Sequence, residues 1–125
     1  MGDLYTTLGT FTPDNLIAGS EIPLLTKAIT LQGDQGIIKR GTVLGIITAT
    51  GLAVPVNNAA VDGSQNADCI LAVDVDTTGG AVVAEAYRSG HFNRKALIFG
   101  GDDTAADHET KLRELGIFLS DNVPY

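Results

Sequence analysis

The sequence predicts a mainly β domain with one or two short helices, a small barrel- or sandwich-like fold preceded by an extended N-terminal arm. Three observations predict it. Glycine is abundant, at 15 residues, while aromatic residues make up only 6%, a mix that favours short strands joined by tight turns. Apolar runs of strand length alternate with Gly-, Asn- and Asp-rich breaks at the spacing of a small all-β domain. Convincing helical periodicity occurs only near the C-terminus.

Residues 1–20 read as the arm. Thr6, Thr7, Thr10, Thr12, Pro13, Asp14, Asn15, Gly19 and Ser20 outnumber the scattered apolar residues Leu4, Tyr5, Leu8 and Phe11, and no strand or helix period persists. Such a segment buries too little surface to order itself alone. Residues 21–125 read as a single β-rich domain, since 125 residues suffice for one domain of ordinary size.

Within that domain, Ile22 to Leu31 ends in alternating apolar and polar positions, a strand closed by the turn Gly33-Asp34-Gln35-Gly36. Ile37-Ile38 leads to a second strong strand, Thr42 to Thr50, and Gly51 turns the chain into Leu52 to Val56. Pro55 places that short strand at an edge or beside a bulge. Asn57 to Ala67 is a polar surface loop. Cys69 to Asp76 returns to strand, Thr77-Thr78-Gly79-Gly80 reads as a hairpin turn, and Ala81 to Arg88 pairs back.

The C-terminal third differs. Phe92 to Ile98 suggests a short helix capped by Asn93. Asp107 to Leu115 is the convincing helix, with Thr104 or Asp107 as cap, Leu112 and Leu115 facing the core, and Glu109 paired with Arg113. Gly116 ends it as a C′ residue, and Ile117-Phe118-Leu119 forms a last strand. The apolar surface of residues 22–56 and 117–119 supplies a domain core or a contact between copies, which the sequence leaves undivided.

Charge excludes several functions. The formal net charge is -7, and residues 41–86 hold five acids without a Lys or Arg. With no basic patch to neutralise phosphates or anionic lipid, neither nucleic acid nor membrane is an expected partner. Met1 to Thr6 lacks the basic and apolar regions of a signal peptide. Cys69, the lone cysteine, reads as a small buried hydrophobe in a chain made in reducing cytoplasm.

No constellation carries chemistry, so the expectation is a non-enzymatic protein without metal or cofactor. His108 lies on the charged helix and reads as solvated. Ser89 and His91 suggest part of a triad, yet no nucleophile elbow surrounds the serine. Asp74-Val75-Asp76 lacks the further ligands of a calcium loop, and alternation puts both acids on one solvent-facing side. Gly101-Asp102-Asp103 is a turn leading into a helix cap. No Gly-rich phosphate loop occurs.

Two resemblances remain. Ile38 to Leu44 is similar to a strand of biotinyl and lipoyl carrier domains, but the hairpins around Gly51 and Thr77 to Gly80 lack the lysine that such domains modify. The second covers more of the chain. Arg40-Gly41-Thr42-Val43-Leu44-Gly45, Thr48-Ala49-Thr50-Gly51, Ala60 to Ser64, Ile70 to Asp76, Tyr87 to Gly90, Phe92 to Leu97 and Leu112 to Ile117, in that order, resemble the bacteriophage head decoration protein family, the lambda-like decoration protein D group, over residues 37–119.

That resemblance implies a capsid decoration protein: a β-rich homotrimer on the outer surface of an expanded phage head, partnered with the major capsid protein and stabilising the shell against DNA pressure. The arm, with Leu4, Tyr5, Leu8 and Phe11, is then the expected capsid-binding element. Its reach is about 65 Å if fully extended. The readings it competes with are a barrel-sandwich carrier or adaptor, a small hydrolase built on His91, and another virion protein such as a tail or neck component.

Overall fold

The computed structural model describes residues 16–19 and 22–120. They form nine strands, one α-helix and one 3-10 turn: β1 (Ile17–Gly19), β2 (Leu25–Leu31), β3 (Ile37–Ile38), β4 (Val43–Ile46), β5 (Ala53–Pro55), β6 (Ala67–Leu71), β7 (Val75–Asp76), β8 (Val82–Asn93), the 3-10 turn Arg94–Ala96, α1 (Ala105–Leu115) and β9 (Ile117–Ser120).

The spine is β8, whose 12 residues extend about 40 Å. Its first half closes a five-stranded barrel in the order β8-β2-β5-β4-β6, with β6 returning to β8 through Ile70↔Tyr87 and Leu71↔Ala86. The β2–β8 ladder is the longest, from Leu25↔Ser89 to Leu31↔Val82. The seam between β2 and β5 is narrow: they meet as a parallel pair at Leu31↔Ala53, with Gln32 N–H donating to the Ala53 carbonyl at 3.0 Å. The second half of β8 carries β1, antiparallel, and β9, parallel. A separate ribbon joins β3 to β7.

Two cores divide the apolar residues. One fills the barrel, with Ile29, Leu31, Ile38, Leu44, Ala53, Cys69, Leu71, Val75 and Ala86. The other joins Leu16, Val43, Val56, Ala67, Ile70, Phe92, Leu112 and Ile117. Adjacent residues of one strand thus enter opposite cores: Val43 against Leu44, and Ile70 against Cys69 and Leu71. Side chains alternate across a strand, so β4 and β6 are covered on both faces, by the barrel interior and by the layer containing β1, α1 and β9. This explains the unbroken apolar run from Cys69 to Ala72, since a strand buried twice needs no polar alternation.

Several expectations shift. The boundary drawn at residue 20 falls beyond β1: residues 17–19 are sheet, and Leu16 is 2% exposed in the second core. The strand read over Thr42 to Thr50 ends at Ile46, because Gly51 N–H bonds the Ile47 carbonyl and Thr48 N–H bonds that of Asp62, turning residues 48–50 away from the ladder. The run Cys69 to Asp76 breaks at residues 72–74. There the Arg40 guanidinium takes the Ala72 carbonyl at 2.8 Å and the Tyr87 hydroxyl at 2.8 Å, and Asp74 Oδ1 accepts Arg40 N–H at 2.6 Å. Residues 75–76 therefore pair with β3, and the turn after them connects to β8 without forming a simple hairpin.

The C-terminal elements follow their caps. Asn93 accepts Lys95 N–H at 3.2 Å at the head of the 3-10 turn. Asp107 accepts Thr104 N–H at 2.9 Å, starting α1 two residues earlier than the periodicity suggests, and Gly116 ends it at φ 95°. Leu112 is fully buried, but Leu115 is 38% exposed, because β9 departs directly after it. His108, expected in solvent, is 3% exposed.

Candidate functional site

The surroundings of Leu16, the first described residue, can be built from β8 outward. Ile17 pairs with Phe92 in β1, and Ser120 pairs with Asn93 in β9. The first residues of β1 and the last of β9 therefore flank the same end of β8, and both tails of the chain join the domain there. Asn93 N–H donates to the Leu16 carbonyl at 2.8 Å, and the Leu16 side chain is sunk among Val43, Phe92 and Ile117. A leucine buried at the first described position fastens whatever precedes it to the domain core.

Charged side chains brace this end. Arg94 grips Glu109 of α1 in a bidentate pair, Nε to Oε1 at 3.1 Å and Nη2 to Oε2 at 2.6 Å. The two side chains are 26% and 23% exposed, so the pair is partly shielded, and its fork geometry fixes direction as well as distance. Arg113 approaches the same Oε2 at 3.4 Å from the next turn. The expected Glu109–Arg113 pair is thus present, but the shorter contact runs across elements.

Beside the start of α1 lies a polar cleft of about 430 Å³ lined by Asn57, Asn58, Ala59, Gly101, Asp102, Asp103 and Asp107. At its floor Asp103 Oδ2 accepts Asn58 N–H at 2.6 Å and meets His108 Nε2 at 2.6 Å. Phe99 stacks on the imidazole, with ring centroids 5.7 Å apart and planes at 12°. The pair thereby ties α1 to the loop after β5.

The remaining candidate groups lie in separate settings. Ser89 Oγ donates to the Pro23 carbonyl at 2.7 Å. His91 lies in β8 opposite Phe118. Burial is the main cause that pushes the Cys69 thiol up to about 12, with the Asp68 charge adding to it. Asp74 and Asp76 are exposed; the Thr78 side chain, together with the Thr78 N–H that Asp76 accepts at 2.9 Å, holds the Asp76 carboxyl below the usual range. Among the described residues no cluster of three His, Cys, Asp or Glu gathers around a common point.

Leu4, Tyr5, Leu8 and Phe11 lie outside the described residues. Leu16, the Arg40 clamp and the Asp103–His108 pair escaped the reading of the sequence. Leu16-Ile17 is itself an apolar pair at the end of a polar stretch, a signal that a strand begins before residue 20. The other two join residues distant in the chain or silent in pattern.

The family model for bacteriophage lambda head decoration protein D matches residues 5–118. No curated protein matches the chain. The chain belongs to this decoration protein family, and is thus a structural protein of the phage virion that decorates the capsid. The match extends the resemblance seen over residues 37–119 back to residue 5.

Proposed function

We propose that the protein is a cement subunit that binds as a homotrimer to the outer surface of an expanded phage head and stabilises the shell against internal DNA pressure. Residues 1–15 are the attachment element, with Leu4, Tyr5, Leu8 and Phe11 filling pockets of the major capsid protein. The observation that carries this reading is the anchoring of that segment at Leu16, in the core and hydrogen-bonded to the end of β8.

The physics of attachment follows from that anchor. A pull on the arm along β1 loads the β1–β8 hydrogen bonds together, in shear, and drags on a buried leucine. Load thereby passes into the longest strand of the domain. An extended arm adds main-chain hydrogen bonds to a sheet edge and seats alternate side chains in pockets. Three arms held by one trimer make each later attachment intramolecular, so modest contacts become durable. The exposed apolar side chains Leu24, Leu25, Val83 and Phe118 offer contact area between copies. A net charge of -7 suits a position outside the shell, away from packaged DNA, and a lone buried cysteine suits synthesis in the host cytoplasm.

Removal of residues 1–15 tests the reading. The truncated protein keeps Leu16 and is expected to remain a folded trimer that no longer co-sediments with expanded capsids. Retained binding refutes the role of the arm. Changing Leu8 and Phe11 to Ala is expected to weaken binding with no change in the thermal melt; a lowered melt assigns those residues to folding instead.

A further inference from the structure

The Asp62–Gly63 step is the only Asp–Gly in the chain, and no Asn–Gly occurs. Asp–Gly is the dipeptide most prone to spontaneous isomerisation, because no side chain hinders the following amide. The Gly63 nitrogen loses its proton and attacks Cγ of Asp62. The bond from Cγ to one carboxyl oxygen breaks, and that oxygen leaves as water. Water then opens the succinimide ring at either carbonyl, restoring aspartate or producing isoaspartate, whose main chain is one methylene longer. Water is the only co-reactant.

In this fold both reacting groups are held. Gly63 N–H donates to Gln65 Oε1 at 2.8 Å. Asp62 Oδ1 accepts Ser64 N–H at 3.0 Å and the Ser64 hydroxyl at 2.5 Å. The Ser64 hydroxyl and N–H also hold the Asp62 carboxyl below the usual carboxylate range, and the ionised form is the poorer electrophile.

The local fold requires glycine at 63 and a fixed backbone at 62. Gly63 has φ +106°, and a Cβ there would collide with Thr48 Oγ1 and lie 2.9 Å from the Ile46 carbonyl oxygen. The Asp62 carbonyl accepts Thr48 N–H at 2.9 Å, and Ser64 is 3% exposed with its backbone packed over Gly45. An extra methylene at residue 62 would displace all of these contacts.

We propose that Ser64 and Gln65 are positioning residues that guard the Asp62–Gly63 bond against isomerisation, one holding the carboxylate and the other the attacking N–H. A subunit placed in a particle once and not replaced would otherwise accumulate the lesion.

Ageing the full-length protein at neutral pH and physiological temperature for weeks tests this, with isoaspartate at residue 62 read by electron-transfer fragmentation of its peptide. The native protein is expected to convert an order of magnitude more slowly than a synthetic peptide spanning residues 58–68. Ser64→Ala and Gln65→Ala are expected to convert severalfold faster than the native protein, and Ser64→Thr, which restores the hydroxyl, to stay slow. Native protein ageing as fast as the peptide, or variants ageing no faster than native, overturns the proposal. If Ser64→Ala does not fold, Gln65→Ala with an unchanged circular dichroism spectrum decides alone. The readout is independent of capsid binding.

Discussion

Cys69 lies inside the barrel with 0% exposure, and its chemistry follows from that position. Its thiol stands at about 12, against an ordinary value of 9.0, so the folded protein favours the neutral form. The stability this contributes is fully present below 9.0 and is lost as pH rises towards 12. Alkaline titration is expected to lower the melting temperature across that window, less so in Cys69→Ala after allowance for its lower starting stability. Thiol reagents are expected to label the cysteine only once the chain unfolds. The Asp103–His108 pair follows the same logic of burial. Both side chains are under one-tenth exposed, so His108→Ala removes a partner from a buried carboxylate and leaves Phe99 without its stacked ring. The expected cost is about 2 kcal/mol, read by denaturant melting. Lys27–Asp68 is as short, at 2.6 Å, but both side chains are about a third exposed, and its loss is expected to change little.

At the scale of elements, close backbone approach sets the hardest constraints. Gly45 of β4 sits under Ser64, and a Cβ there would lie on the Ser64 carbonyl oxygen. Because the obstacle is backbone, it cannot rotate aside. Gly45→Ala is expected to lift the loop 57–66 off β4 and cost about 2 kcal/mol, with hydrogen exchange rising first in that loop. β1 shows a second constraint. Removing residues 1–15 leaves the anchor whole, but removing residues 1–19 deletes Leu16 and the β1–β8 ladder. The longer deletion is expected to cost at least about 2 kcal/mol more than the shorter. Equal melting of the two truncations would show that β1 does not stabilise the domain.

At the scale of the whole molecule, β8 integrates the structure: its first half closes the barrel, and its second half gathers β1 and β9. If residues 1–15 bind the shell as proposed, force on them reaches the domain through β1 and passes into this strand. The barrel and its outer layer hold that end of β8 in shape.

The sequence by itself determined the class of fold, most turns and the helix with its caps, because those follow from local rules: backbone freedom at Gly36, Gly51 and Gly116, side-chain capping at Asn93 and Asp107, and periods of apolar residues. Its order of short motifs also pointed to the decoration protein family. Tertiary structure alone decided that β4 and β6 are buried on both faces, that the strand after Cys69 breaks where Arg40 crosses it, that His108 is inside, and that Leu16 is part of the core. Each of these depends on contacts between residues far apart in the chain. Local pattern registers that a residue is apolar or charged, but what it meets is set only when the barrel closes.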